Sequence, residues 1–225
     1  MLFRSVHSQR ILQQSSNNFN ALLPTELVDQ ALESGQLVVT VSNTAATLNI
    51  VLHTIYEWPC AAFAPPFGDV MPAITALKIY GLSLKECLAP EKPLRSLLLS
   101  FVPIYPMEIY AMAASNGLEE LAVIVSSHLL SYRMHDLSDE LAAQMGATYL
   151  HRLAILHTGR MQTLKKLVLC APDEHEATET CGFTEKNELS GMWALASAHL
   201  SWEAKSGVLL PVCFLIYVLG LITMA

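Results

Sequence analysis

Apolar residues recur at helical spacing through most of this chain, and a proline or glycine closes nearly every run. Leu48, Val51, Leu52 and Ile55 stand at i, i+3, i+4 and i+7, one face of a helix. Trp58-Pro59 ends that run, because a residue before proline is pushed out of the α region. Leu118, Leu121, Ala122, Val125 and Leu129 repeat the pattern immediately after Gly117. A chain written this way buries its apolar stripes by packing helix against helix.

The same reading predicts further helices. Ser8 is expected to cap one that carries Ile11, Leu12, Ser15, Phe19 and Leu22 and stops at Pro24, and Thr25 another that stops at Gly35. Asp69 is expected to cap a helix through Ile74, Leu77 and Tyr80, ended by Gly81. Residues 94–101 form the next, and a pair centred on Tyr110 and Leu121 follows. Ser138 caps a helix with Leu141, Met145, Tyr149 and Leu153 inward, and Gly159 is expected to break it before Met161, Leu164, Leu167 and Val168. Residues 170–183 read as an acidic loop, and 185–205 as a last helix carrying Leu189, Met192, Trp193, Ala196 and Leu200. The run Val38, Val39, Thr40, Val41 is the clearest candidate strand.

The 225 residues have room for one large domain or two small ones. With 13 Lys and Arg against 20 Asp and Glu, and the basic residues scattered, the net charge of −7 argues against nucleic acid as a partner. Five cysteines without a C-x-x-C pair, and no charged leader before an apolar run, fit free thiols in a reducing cytoplasmic or nuclear setting.

The apolar fraction of 52% is high, and it is concentrated at the end. No charged residue lies in 206–225, which includes Val208, Phe214, Tyr217 and Ile222. That length approaches the roughly 20 residues a helix needs to cross a bilayer, so the segment is a candidate membrane anchor that would leave the rest facing the cytosol.

The order of elements in 6–59 carries a resemblance. His7, then Ile11-Leu12 with Ser15 and Phe19 at four-residue steps, then Val38-Val39-Thr40-Val41, then His53-Thr54-Ile55-Tyr56, is similar to the middle of a BTB (POZ) domain. Later segments, Tyr110-Ala111-Met112, Leu118-Glu119-Glu120-Leu121, Ser127-His128-Leu129-Leu130, Met145-Gly146-Ala147-Thr148-Tyr149 and Trp193-Ala194-Leu195-Ala196, resemble the BTB-domain proteins of mushroom-forming fungi. There a helical region follows the BTB core. Only six residues precede His7, so the strand, helix and hairpin that open a BTB domain have no counterpart, and the module is expected to be N-terminally truncated.

The expected fold is therefore α+β and predominantly α-helical. It comprises a truncated BTB-like module with its following helices in 1–131, a helical extension in 132–205 and the apolar tail in 206–225. The resemblance implies a non-catalytic protein-interaction module, acting by self-association or by docking of another protein partner and needing no cofactor. Phe19, Leu22, Leu23, Ile55, Tyr56 and Trp58 are the candidate interface. At helical spacing, Phe19, Ile55 and Tyr56 equally fit a core.

Chemistry finds little support. No G-x-S-x-G, P-loop or dinucleotide-binding glycine pattern occurs. Cys170, His175 and Cys181 are weak metal candidates, since a structural zinc site needs four ligands in closer pairs. His175-Glu176-Ala177-Thr178-Glu179 has Glu179 where a zinc-protease helix needs its second histidine. Arg152, Arg160, Lys165 and Lys166 read as a solvated basic face.

Overall fold

The computed structural model describes residues 15–22, 40–60, 63–171, 176, 178 and 181–203. Its elements are helices: α1 (Ala45–Ile55), α2 (Phe67–Ile79), α3 (Leu84–Cys87), α4 (Pro93–Phe101), α5 (Pro106–Ser115), α6 (Glu119–Ser126), α7 (Asp139–Leu169) and α8 (Phe183–Glu203). No strand occurs among the described residues, and an isolated bridge pairs Thr178 with Cys181. Thr40 and Val41, the described half of the expected strand, lie in irregular backbone; Val38 and Val39 lie outside the described residues. The chain divides into two compact units between Tyr105 and Pro106, ahead of the boundary read from the sequence after Ser131.

In the first unit α1 packs on α2. Ile50 and Val51 from α1 are fully buried, as are Val70, Ala73 and Leu77 from α2. The buried face of α1 is Thr47, Ile50, Val51 and Thr54, one residue earlier than the expected Leu48, Val51, Leu52 and Ile55, of which Val51 alone is buried and the other three are half-buried. The Thr44 hydroxyl caps α1 by accepting from the Thr47 N–H at 3.2 Å. Helix α2 starts two residues before Asp69. Pro66 holds its N-cap position without a side-chain bond, and Asp69 lies in the first turn where the helix dipole favours a carboxylate. Helix α4 opens with Pro93 at its first position and buries Leu94, Leu97 and Leu98.

Residues 15–22 correct one expectation. In place of a right-handed helix through Ser15 and Phe19, Asn18, Phe19, Asn20 and Ala21 form one turn with φ from 51° to 59°, in the left-handed region. Such a turn costs about 1–2 kcal/mol per residue, less for asparagine. It is held by a dense set of bonds to the end of α2. The Ser15 hydroxyl donates to the Tyr80 carbonyl and accepts from the Phe19 N–H. The Asn17 amide donates to the Ile79 carbonyl at 2.9 Å. The Ser16 hydroxyl donates to the Gly81 carbonyl at 2.9 Å. Phe19 is buried, its ring stacked on Tyr80 at 4.0 Å.

In the second unit α5 is central, burying every residue from Ile109 to Ala114 between α6 and α7. Gly117 takes φ +66° in the turn to α6. The Ser138 hydroxyl caps α7 by accepting from the Leu141 N–H, as the sequence suggests. Gly159 does not break α7. The irregularity falls instead at Gly146, whose φ of 73° and ψ of 166° suit only a residue without Cβ. Helix α8 packs along α7, and the Ser197 hydroxyl donates to the Val168 carbonyl at 2.8 Å.

Among the described residues no helix is long and apolar enough to cross a membrane. The run 206–225, with Val208, Phe214, Tyr217 and Ile222, lies outside them.

Candidate interaction surface

Helix α1 ends in a way that fixes an aromatic group at the surface. The Glu57 N–H bonds to the Thr54 carbonyl at 3.2 Å, and the Trp58 N–H to the His53 carbonyl at 2.8 Å. These are the paired closing bonds of a Schellman motif, which needs a left-handed residue between them. Glu57 is that residue, with φ +57°. Helices α2 and α5 close with the same bonds, and there Gly81 and Gly117 occupy the left-handed position.

The motif turns the chain so that Trp58 returns over the last turn of α1. Its indole stacks on Tyr56 at 5.1 Å and meets His53 edge-on at 5.7 Å. Phe63, delivered by the proline-bounded loop that follows, meets His53 edge-on from another direction at 5.0 Å. Edge-to-face and offset contacts at these distances are the favoured arrangements of aromatic rings. The cluster still reaches solvent: Trp58 is 50% exposed and Phe63 39%. The His53 Nδ1 is buried beneath it with no hydrogen-bond partner among the described residues.

Cys60, two residues after Trp58, is buried, and burial pushes its thiol up to about 11. A buried thiol that holds its proton packs as a small apolar side chain. The Lys92 ammonium lies 2.5 Å from the Glu57 carboxylate, so the one left-handed acidic residue of the corner is also tied to the start of α4.

The expected interface residues separate clearly. Tyr56 and Trp58 belong to the cluster, and Ile55 is half-buried beside it. Phe19 is a core residue, packed on Tyr80, and Leu22 is half-buried just after the left-handed turn; Leu23 lies outside the described residues. His53 and Phe63 escape the sequence reading. His53 looks like an isolated helical histidine, and Phe63 sits in a loop without periodicity. The proximity of four aromatic or imidazole side chains within 53–63 was the available signal.

The other candidates fare differently. Cys170 is exposed and Cys181 buried, while His175 lies outside the described residues, among which no group of three metal-ligating side chains converges. The basic face is partly used within the fold. Arg152 pairs with Glu119 at 3.1 Å, and the Arg160 guanidinium donates to the Leu130 carbonyl.

No family model, curated protein or solved structure matches this chain.

Proposed function

We propose that this chain is a non-catalytic protein-interaction module that associates with copies of itself, in keeping with its resemblance to BTB domains, and that the cluster of His53, Tyr56, Trp58 and Phe63 is its docking face. The observation that carries the reading is the half-exposed Trp58 held over α1 by a strained left-handed corner. Exposed aromatic rings on a fixed backbone are the residues that dominate protein interfaces. A left-handed non-glycine residue costs stability, and such cost is characteristically retained where a site needs it.

Sedimentation equilibrium of the purified chain tests this. Wild type should show a concentration-dependent mass. Trp58→Ala should weaken association by a factor of about 30, the value for losing a central aromatic anchor worth about 2 kcal/mol. A wild type that stays monomeric at all concentrations, or a Trp58→Ala chain that associates equally well, defeats the proposal.

A second reading rests on the absence of any charge in 206–225. A segment near the length of a bilayer crossing would anchor the module to a membrane while its helices face the cytosol. Sodium carbonate washing of cell membranes separates the cases: an anchored chain stays in the pellet, and release into the supernatant removes the anchor.

A further inference from the structure

A concave feature lies wholly within the second unit, where α5, α6 and α7 meet. It is a groove of about 150 Å³. Its floor is apolar, made by Ala122, Leu153 and Leu156. Its rim is not. Glu119 at the start of α6 and Arg152 on α7 face each other there at 3.1 Å.

Arg152 is held in place from more than one side. The Glu119 carboxylate accepts from its Nη1, and its guanidinium lies 5.1 Å above the Tyr149 ring. The Tyr110 hydroxyl donates to the Tyr149 carbonyl at 3.1 Å, fixing the neighbouring wall. The Tyr110 and Tyr149 rings meet edge-on at 6.1 Å.

A water-exposed arginine–carboxylate pair contributes little to folding, so it opens at small cost. A ligand that brings both an anion and a cation to this rim replaces both halves of the pair it opens, whereas a ligand with one charge replaces only half of it. A ligand bearing a carboxylate and an ammonium on one carbon does so: its carboxylate takes the Arg152 fork and its ammonium takes Glu119. The floor then decides the remainder of the molecule. A cavity of this size accommodates a six-membered ring or a branched aliphatic group. Concavity, an apolar lining and a few convergent polar groups together are the marks of a small-molecule site.

We infer that the groove between Glu119 and Arg152 is a binding site for a free α-amino acid with a large apolar side chain. Arg152 holds the carboxylate, Glu119 holds the ammonium, and the side chain rests on Ala122, Leu153 and Leu156. This site shares no residue with the aromatic face.

Isothermal titration calorimetry of the full chain tests it with three probes: L-phenylalanine, N-acetyl-L-phenylalanine, which lacks the ammonium, and L-phenylalanine amide, which lacks the carboxylate. L-Phenylalanine should bind, and each blocked analogue should bind at least about tenfold more weakly. Arg152→Gln and Glu119→Gln, both at solvent-exposed positions, should each weaken L-phenylalanine at least about tenfold while leaving the circular dichroism spectrum unchanged. Ala122→Leu fills the floor without touching either charge and should abolish binding. The inference is overturned if L-phenylalanine does not bind at concentrations up to about 10 mM. It is equally overturned if a blocked analogue binds as well as the free amino acid, or if folded Arg152→Gln binds like wild type.

Discussion

His157 is carried inside the second unit as a neutral base. Its side chain is buried in α7, its Nε2 has no hydrogen-bond partner among the described residues, and burial together with the nearby Arg160 cation lowers its pKa from the ordinary 6.5. The unfolded chain therefore binds a proton at this residue at a pH where the native chain does not. Stability is fully present above about pH 6.5, and it is lost progressively as pH falls below that value toward the lowered native pKa. Urea midpoints at about pH 7.5 and 5.5 should fall for wild type and fall less for His157→Gln. Equal losses in the two proteins would show that this histidine does not contribute to the acid sensitivity. The same scale shows what a sequence can and cannot separate. Phe19 and Trp58 are both aromatic residues near predicted helix ends, yet one stacks inside on Tyr80 and the other stands half in solvent. Periodicity assigns a residue to a face. It does not say whether the neighbouring chain then covers that face.

Helix ends tell a parallel story at the level of elements. Gly81 and Gly117 close α2 and α5, and both are legible as stop signals because a left-handed corner favours a residue without Cβ. At Gly81 an added Cβ would also lie 2.5 Å from the Asn17 side-chain oxygen. Glu57 does the same work for α1 without that advantage, and nothing in its sequence context announces it. Glu57→Gly should relieve roughly 1–2 kcal/mol of backbone strain, offset by the greater freedom of unfolded glycine and by the loss of the exposed Lys92 pair. Glu57→Val loses the same pair and places a branched side chain at φ +57°. The glycine variant should therefore exceed the valine variant by at least about 1 kcal/mol in urea unfolding, and near equality would mean that the corner bears no strain. Gly146 and Gly159 mark the limit of such readings. Each is a glycine within one apolar-patterned run, and a helical glycine costs only about 1 kcal/mol, so the helix passes through Gly159 and yields at Gly146. Local composition does not distinguish them.

At the scale of the whole molecule, helical character was legible in most of the described elements, because their apolar residues recur at helical spacing between proline and glycine stops, and it failed at residues 15–22, where a left-handed turn stands in place of the expected helix. The division between Tyr105 and Pro106 was not legible, since it depends on which helices share a core rather than on any single segment. Net charge belongs to this scale as well. Two copies carrying −7 each repel one another at a distance, and this repulsion is screened within about 10 Å at 0.1 M salt and about 3 Å at 1 M. Docking through aromatic rings should consequently tighten as sodium chloride is raised from about 0.05 M to 0.5 M. Association that weakens with salt would point to a charge-paired face instead. Trp58 makes such experiments directly observable. It is the only tryptophan in the first 105 residues, Trp193 and Trp202 being the others. With those two replaced by phenylalanine, the fluorescence of a single half-hydrated indole reports on the corner of α1. Displacement of water from that ring by a docking surface would move its emission to shorter wavelength.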